Sequence, residues 1–296
     1  MPTDRIVTDS LGRCVAIPSS PQRLVSLVPS ITEVLFNFGW GREVVGITDY
    51  CTEPADQVVH KNKLGGTKNP NLQAILQLRP QLVFAVEEEN RRQDIERLDA
   101  QGVPVYVFEP RTVRDGIDLL WRIAELLDCK ADVEIKLHEI EAAYQGAITV
   151  TAEKDRVRVF CPIWKDPYIT INRATYVHDM LRVCGGDNIF AQRQRRFPLA
   201  ADLRQEAPTS TNRTVERDRR YPRVSLDEMA SRRPDIILLP DEPYIFTESD
   251  RDDFLSFNDV PAVQQQRIYL IDGKIISWYG TRIGESLRTL QKYLLY

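Results

Sequence analysis

The chain has 296 residues, of which 43% are hydrophobic and 28% are charged, a composition typical of a soluble globular protein. Its 39 basic and 43 acidic residues give a net charge of −4, which indicates neither a nucleic-acid partner nor an anionic membrane surface. Five scattered cysteines without a CxxC pair and three separated histidines argue against a disulfide framework or a zinc site. No apolar run is long enough to span a membrane.

Seven short apolar runs alternate with helix-like segments along the chain. They cover residues 24–28, 44–47, 82–86, 103–108, 156–160, 235–240 and 267–272. Apolar runs separated by helices are typical of parallel strands buried on both faces. The pattern therefore predicts an α/β protein with parallel sheets.

An internal repeat divides the chain into related halves. NLQAILQLRPQLVFA, at residues 71–85, matches SLDEMASRRPDIILL, at residues 225–239, with a constant offset of 154. Each copy predicts a helix capped by Asn71 or Ser225, an Arg-Pro stop and a buried strand. The position of one copy in each half indicates two related lobes.

A helical stretch separates the two halves. Its apolar residues recur three or four positions apart, which places them on one helix face. We predict two Rossmann-like lobes, at residues 1–125 and 155–296, joined by a single backbone helix at residues 126–154. A cleft between two α/β lobes is a favoured place for a ligand.

An Arg-rich insertion at residues 193–223 interrupts the second lobe. It holds nine Arg against four acidic residues and shows no strong periodicity. A loop of this length is typically functional or disordered. Two interpretations remain open: a solvated insertion, or a flexible basic lid over an anionic ligand.

Motifs for phosphate binding, nucleophilic catalysis or metal ligation are absent from the sequence, so it predicts neither catalytic residues nor a metal site. Ser30 and Glu33 have the spacing of a capping box at a helix start.

Aromatic and polar residues cluster where strands are predicted to end, although turns do not require large aromatic side chains. These candidate ligand-binding residues are Tyr50, Thr67, Lys68, Trp164, Tyr168, Trp278, Tyr279 and Arg282. Partial burial in the core is the alternative for each ring. Their recurrence at strand ends favours a broad, largely apolar ligand with a few polar anchors.

Several of these stretches resemble the vitamin B12 and iron–siderophore binding proteins of ABC importers, the helical-backbone metal receptors. The resemblance covers residues 22–296 and follows RLVSLVPSITEVLFNFG, VVGITDY, LGGTKNPNLQAILQLRPQLVFA, MLRVCGGDNIF and YPRVSLDEMASRRPDIILLP. Residues 1–21 resemble the N-terminal hairpin or arm of siderophore-binding members. The resemblance implies two lobes bridged by one helix, with cobalamin or another metal chelate held between them and no covalent cofactor.

The resemblance also assigns residues. It implies that Tyr50 and Tyr221 occupy aromatic ligand positions and that Trp278 lies near a further contact region. Two other aromatic positions of the B12-binding members are occupied here by Thr67 and Val86, so the ligand can differ.

The resemblance implies that the protein docks on a permease through one acid at a helix start in each lobe. The second lobe offers Asp227 beside Glu228, but the first-lobe position is Gln73, which cannot form the charge pair. An acid in a first helical turn also has a purely structural explanation, namely its favourable interaction with the helix dipole.

Three functions remain open: a corrinoid-binding protein with a ferric siderophore or haem as the alternative ligand, an enzyme acting in the cleft, and an interaction module that has lost its ligand. No secretory leader is visible at the start of the chain, so the sequence as written predicts a cytoplasmic protein. The alternative is an extracytoplasmic protein whose leader is missing from this chain.

Overall fold

The computed structural model describes residues 4–205 and 217–295, which form two compact units. The first unit comprises residues up to Pro110, Arg114–Ala142 and Trp278–Ile283, and the second comprises Arg111–Val113, Ala143–Ser277 and the chain from Gly284 onward.

The elements up to the unit boundary alternate strands with helices. They are β1 (Arg5–Thr8), β2 (Cys14–Ile17), β3 (Leu24–Ser26), α1 (Pro29–Asn37), β4 (Val44–Ile47), α2 (Ala55–Val58), β5 (Asn62–Lys63), β6 (Gly65–Gly66), β7 (Asn69–Pro70), α3 (Leu72–Gln77), β8 (Leu82–Val86), α4 (Arg92–Ala100), β9 (Val105–Phe108), α5 (Val113–Leu126) and α6 (Lys130–Thr151).

The remaining elements are β10 (Val157–Phe160), β11 (Pro162–Trp164), β12 (Ile169–Thr170), α7 (Tyr176–Val183), β13 (Gly186–Asn188), α8 (Leu199–Asp202), α9 (Leu226–Ser231), β14 (Ile236–Pro240), α10 (Glu248–Leu255), α11 (Pro261–Gln264), β15 (Ile268–Ile271), α12 (Lys274–Ser277) and α13 (Ile283–Leu295).

Each unit is built on a parallel sheet. In the first unit the strand order is β5-β4-β3-β8-β9, and in the second it is β13-β10-β14-β15. Neighbouring strands run parallel in both sheets. Every residue of β8 and β14 is buried, as expected for central strands covered on both faces. The predicted α/β class with parallel sheets is confirmed.

All seven predicted strands are present, with bounds that agree within two residues. The short edge strands β5 and β13 were missed, because Asn62–Lys63 and Gly186–Asn188 contain no apolar run. The hairpin expected near the N-terminus is formed by β1 and β2, which pair antiparallel from Arg5 with Ile17 to Thr8 with Cys14.

The sequence repeat is a structural repeat. The side chain of Asn71 accepts a hydrogen bond from the Ala74 amide, and the side chain of Ser225 accepts one from the Glu228 amide, both at 3.1 Å. Two residues after the end of each helix stands an Arg with φ of 46°, Arg79 after α3 and Arg233 after α9. A left-handed residue terminates a helix, and the following Pro prevents its continuation.

The connecting helix is shorter than predicted. α5 ends at Leu126, Asp128 has a left-handed φ of 53°, and α6 occupies Lys130–Thr151 rather than residues 126–154. No Gly or Pro marks this break in the sequence. The division into units also differs from the predicted lobe boundaries, since it falls within α6, after Ala142, and returns Trp278–Ile283 to the first unit.

Glu33 anchors that returning segment. Arg282 donates from Nε to Glu33 Oε2 at 2.7 Å, and its Nη2 lies 2.6 Å from Glu33 Oε1. Arg282 also lies 4.0 Å from Glu53. The predicted capping box is therefore wrong: α1 begins at Pro29 without a side-chain cap, and the Glu33 carboxylate pairs with a guanidinium distant in sequence.

A short hairpin formed by β11 and β12 follows the strand β10. Lys165, in its turn, lies 2.7 Å from the carboxylates of both Asp250 and Asp253 on α10. The Tyr168 hydroxyl donates to Asp253 at 2.6 Å. These contacts tie the hairpin to α10, and we call Lys165, Tyr168, Asp250 and Asp253 the hairpin anchor.

The described ends of the Arg-rich insertion are packed into the second unit. The fully buried carboxylate of Asp202 accepts hydrogen bonds from Arg193 at 3.1 Å and from the Arg196 and Arg223 amides at 2.8 and 2.9 Å. Arg196, Arg204 and Arg217 in these ends are nevertheless exposed, so the two interpretations of the insertion, solvated or a basic lid, stay predictions. Residues 206–216 of the insertion lie outside the described residues.

Replacing Arg282 by Met should destabilise the protein by about 2–4 kcal/mol, because it leaves the buried Glu33 carboxylate without its guanidinium partner. Arg92→Met is the control, since Arg92 pairs with Glu96 at a solvent-exposed site and its loss should leave the free energy of unfolding nearly unchanged. Urea unfolding measures both changes, and equal losses for the two variants would contradict the anchoring role of Arg282.

The hairpin anchor should make stability depend on acid pH. Burial raises the pKa of Asp250 and Asp253, but hydrogen bonds from Lys165 outweigh it and hold both pKa values below the usual range. Carboxyl groups with depressed pKa values stabilise the fold above their unfolded value of about 4, and this stabilisation is lost as the pH falls through the folded values.

The variant Lys165→Met should therefore lose less stability than the wild type between about pH 5 and pH 2. Lys136→Met, on α6, is the control and should retain the wild-type pH dependence. Urea unfolding across this range measures the slopes, and identical slopes for Lys165→Met and wild type would contradict the anchor.

Candidate functional site

The first unit exposes one aromatic ring beyond the carboxyl end of β4. Tyr50 is 64% exposed and follows a turn in which the Asp49 amide donates to the Gly65 carbonyl at 2.9 Å. A Cβ at Gly66 would lie 3.4 Å from the Tyr50 ring and 2.4 Å from Asn69 Oδ1. Because Gly66 has no side chain, the Tyr50 ring and the Asn69 side chain can occupy the space beside it.

Thr67 and Lys68 form the tip of the small β6–β7 hairpin next to Gly66. Buried Asn90 donates to the Thr67 and Leu27 carbonyls at 3.1 and 3.2 Å, so it ties this tip to the sheet. Lys68 donates to the Glu88 carbonyl. The structure therefore brings Tyr50, Thr67 and Lys68 into one region of the first unit.

The late aromatic cluster has internal partners. Trp278 and Tyr279 are buried, the Arg282 guanidinium lies 5.4 Å from the Trp278 ring centre, and the Tyr279 hydroxyl donates to Glu89. Burial and the Glu89 carboxylate raise the pKa of Tyr279 well above its ordinary value. These contacts hold Trp278–Ile283 in the first unit, and contact of Trp278, Tyr279 and Arg282 with a ligand stays a prediction.

The second unit exposes an indole ring on its anchored hairpin. Trp164 is 44% exposed, and its ring forms a T-shaped contact with Tyr244 at a centroid distance of 5.7 Å. Tyr168, which directly precedes β12, is buried and stacks on Phe246 at 6.4 Å. Tyr168 is thus packed within the unit and Trp164 is partly exposed, and ligand contact by either residue stays a prediction.

Tyr221 lies beside this hairpin. Its flanking backbone runs along β12, with the Thr170 amide donating to the Pro222 carbonyl at 3.0 Å and the Val224 amide donating to the Tyr168 carbonyl at 2.9 Å. The ring is half-buried, and the Arg220 guanidinium lies 5.7 Å from its centre. In the second unit, β12 therefore lies between the strand that carries Trp164 and the segment that carries Tyr221.

The predicted docking residues occupy equivalent places in the repeat. Gln73 and Asp227 are each the second residue of a helix, α3 or α9, and both are exposed. Glu228 is different: it is buried and accepts contacts from Arg204 at 2.8 Å, Arg193 at 3.3 Å and Arg232 at 3.4 Å. These ion pairs hold Glu228 within the second unit, and its role as a docking acid stays a prediction.

Sequence reasoning missed the residues that support these rings. Lys165, Asp250, Asp253 and Asn90 lie far apart in sequence from the groups they bind, and no local pattern marks them. The only signal was the presence of a Lys and an Asp between Trp164 and Tyr168 in a strand-end turn.

The described part of the chain contains no group of three or more His, Cys, Asp or Glu residues able to hold a metal ion. A recess of about 450 Å³ does occur in the first unit, lined by residues that include Tyr106, Asp115 and Arg122. None of the predicted ligand residues lines it. The chemistry offered by Tyr50 and Trp164 is stacking on an apolar surface, with polar groups nearby.

Within residues 4–205 and 217–295, no helix combines the length and apolar character needed to cross a membrane.

Comparison with known proteins agrees with this architecture. The vitamin B12-binding protein of Vibrio cholerae serotype O1 is 26% identical over 195 residues, which cover 65% of this chain and 68% of the relative. The crystal structure of the periplasmic vitamin B12-binding protein of Vibrio cholerae has a TM-score of 0.71 at 20% identity, covering 92% of this chain and 96% of that one.

A periplasmic heme-binding protein from Roseiflexus sp. RS-1 has a TM-score of 0.70 at 22% identity, with 92% of this chain and 97% of that chain covered. At these identities the two structures support the fold alone. Residues 24–275 match the family described as periplasmic binding protein, which is most of the chain. The chain therefore belongs to the periplasmic binding protein family.

Proposed function

We propose that this protein binds a corrinoid such as cobalamin, or a related metal chelate, as the substrate-binding component of ABC-type uptake. Family membership supports a binding role rather than catalysis, and relatives named vitamin B12-binding proteins favour a corrinoid. The observation that carries the proposal is the anchored hairpin, which fixes Trp164 while leaving 44% of it exposed.

Tyr50 and Trp164 are the proposed ligand contacts. A large, partly apolar ligand gains most from rigid aromatic faces with few rotatable bonds, and both residues offer such faces. Thr67, Lys68 and Tyr221 are proposed as neighbouring contacts because they lie beside these rings in their own units. Tyr168, Trp278, Tyr279 and Arg282 are proposed to act as supports.

A haem or a ferric siderophore is the alternative ligand. The heme-binding protein from Roseiflexus has nearly the same structural similarity as the B12-binding protein, so the fold does not separate the two ligands. The basic residues of the Arg-rich insertion favour an anionic chelate over a neutral one.

Asp227 is the proposed contact for a permease, since it is exposed at a helix start and repeats the position of Gln73. The neutral side chain of Gln73 makes the two docking positions unequal. Family membership favours the extracytoplasmic alternative for location.

The aromatic contacts can be tested by calorimetry with cyanocobalamin, haemin and ferrichrome as parallel ligands. Tyr50→Ala and Trp164→Ala should each weaken binding of the recognised ligand by about 1–3 kcal/mol, because each removes a stacking face. Ile135→Ala is the control: it deletes an apolar side chain that is 75% exposed on α6 and should leave affinity unchanged.

Unchanged affinity for both aromatic variants would refute these contacts. Absence of binding by the wild type to all three compounds would refute the proposed ligand class.

A further inference from the structure

The described ends of the Arg-rich insertion assemble a cluster of cations around one aromatic ring. The guanidinium groups of Arg195 and Arg217 lie 5.0 and 4.8 Å from the centre of the Phe197 ring. Arginine stacks on aromatic faces while its N–H groups remain able to bind a planar oxyanion. Phe197 thus positions two cations that lie on opposite sides of residues 206–216 in the sequence.

Two acids that the structure describes near this cluster, Asp202 and Asp218, are already bonded to other groups. Asp202 accepts from Arg193 and from the Arg196 and Arg223 amides. Asp218 accepts from the Arg220 side chain at 2.9 Å. Among residues 4–205 and 217–295, neither Arg195 nor Arg217 forms an ion pair with a carboxylate.

Arg195 has an unused donor. Its Nε is buried and has no hydrogen-bond partner in the described part of the chain, although its backbone amide donates to the Arg219 carbonyl at 3.0 Å. Buried N–H groups are almost always satisfied, so an unsatisfied one indicates a missing acceptor.

The local electrostatics also favour an anion. Burial lowers the pKa of Arg195, and the positive charge of Arg223 lowers it further. Asp202 and Asp218 raise the pKa of Arg195, but not enough to cancel this lowering. A guanidinium whose charged form is disfavoured by its surroundings gains stabilisation when an anion enters.

We propose that Arg195 and Arg217, stacked on Phe197, form an oxyanion site that takes a carboxylate or phosphate group. The backbone at Arg219, which binds Arg195, continues to Pro222 and Arg223 beside β12, the second strand of the hairpin that carries Trp164. β12 therefore lies between this segment and the strand that carries the exposed indole, all within the second unit. The use of the oxyanion site for an anionic group of a chelate rests on the proposed function.

The site itself is tested with inorganic phosphate, independently of any chelate. Thermal unfolding of the full chain in sodium phosphate is compared with sodium chloride at neutral pH and matched ionic strength. The phosphate affinity of Arg195→Gln/Arg217→Gln should be about tenfold or more weaker than that of the wild type, through the loss of charge-assisted hydrogen bonds.

Arg196→Gln is the matched control, since it removes one exposed cation from the same segment and should keep the wild-type response. The single variant Arg217→Gln decides the test if the double variant does not fold. An equal phosphate response in wild type and in the folded Arg195 and Arg217 variants would overturn the site.

A second arm identifies the source of the oxyanion. Haemin carries two carboxylates, and its dimethyl ester carries none. If the wild type prefers haemin to its dimethyl ester and the double variant loses this preference, the site binds an anionic chelate. If the wild type responds to phosphate but shows no such preference, the site binds a free anion and the extension to chelates is overturned. Failure of both porphyrins to bind counts against the haem alternative, while the phosphate arm still decides the oxyanion site.

Discussion

The position of the hairpin that carries Trp164 depends on the contact between Lys165 and two carboxylates on α10. Trp164 is the last residue of β11 and is exposed where the strand enters the turn. The Lys165 ammonium group, 2.7 Å from both Asp250 and Asp253, fixes the turn on α10. Tyr168 completes the anchor by packing its ring on Phe246 and donating its hydroxyl to Asp253.

In the first unit, backbone and side-chain amide contacts hold the region around the exposed ring of Tyr50. Tyr50 lies over a glycine, and Asn90 holds the neighbouring hairpin tip through the Thr67 and Leu27 carbonyls. In both units the exposed ring follows a buried parallel strand, where ligands of α/β proteins commonly bind. The repeat supplies the central strands β8 and β14 with the helix and Arg-Pro stop before each, so the two units share this part of their frame.

The sequence was informative where local rules determine structure. Apolar runs identified the strands, and the Arg-Pro stops after Asn71 and Ser225 identified the repeat, because capping and helix termination depend on nearby residues. It failed where the deciding contact is distant. Glu33 has the spacing of a capping residue, yet Arg282 binds its carboxylate across 249 positions.

The same limit applies to the candidate site. The sequence predicts both Trp164 and Tyr168 as ligand residues. Only the structure shows that Tyr168 packs against Phe246 and Phe254, whereas Trp164 is partly exposed. The buried Glu228 and the exposed Asp227 are likewise indistinguishable in a sequence of two adjacent acids. No Gly or Pro in the sequence indicates the break between α5 and α6 at Asp128.

The most direct test uses Trp164 as its own reporter. The chain has four tryptophans, and changing Trp40, Trp121 and Trp278 to Phe leaves Trp164 as the single indole. The fluorescence of this folded variant is followed during titration with cyanocobalamin, with correction for absorption by the ligand. Saturable quenching with one-to-one stoichiometry is the result expected for a corrinoid bound at Trp164. A signal that stays unchanged while calorimetry detects cyanocobalamin binding would place the ligand elsewhere and contradict the role of the anchored hairpin.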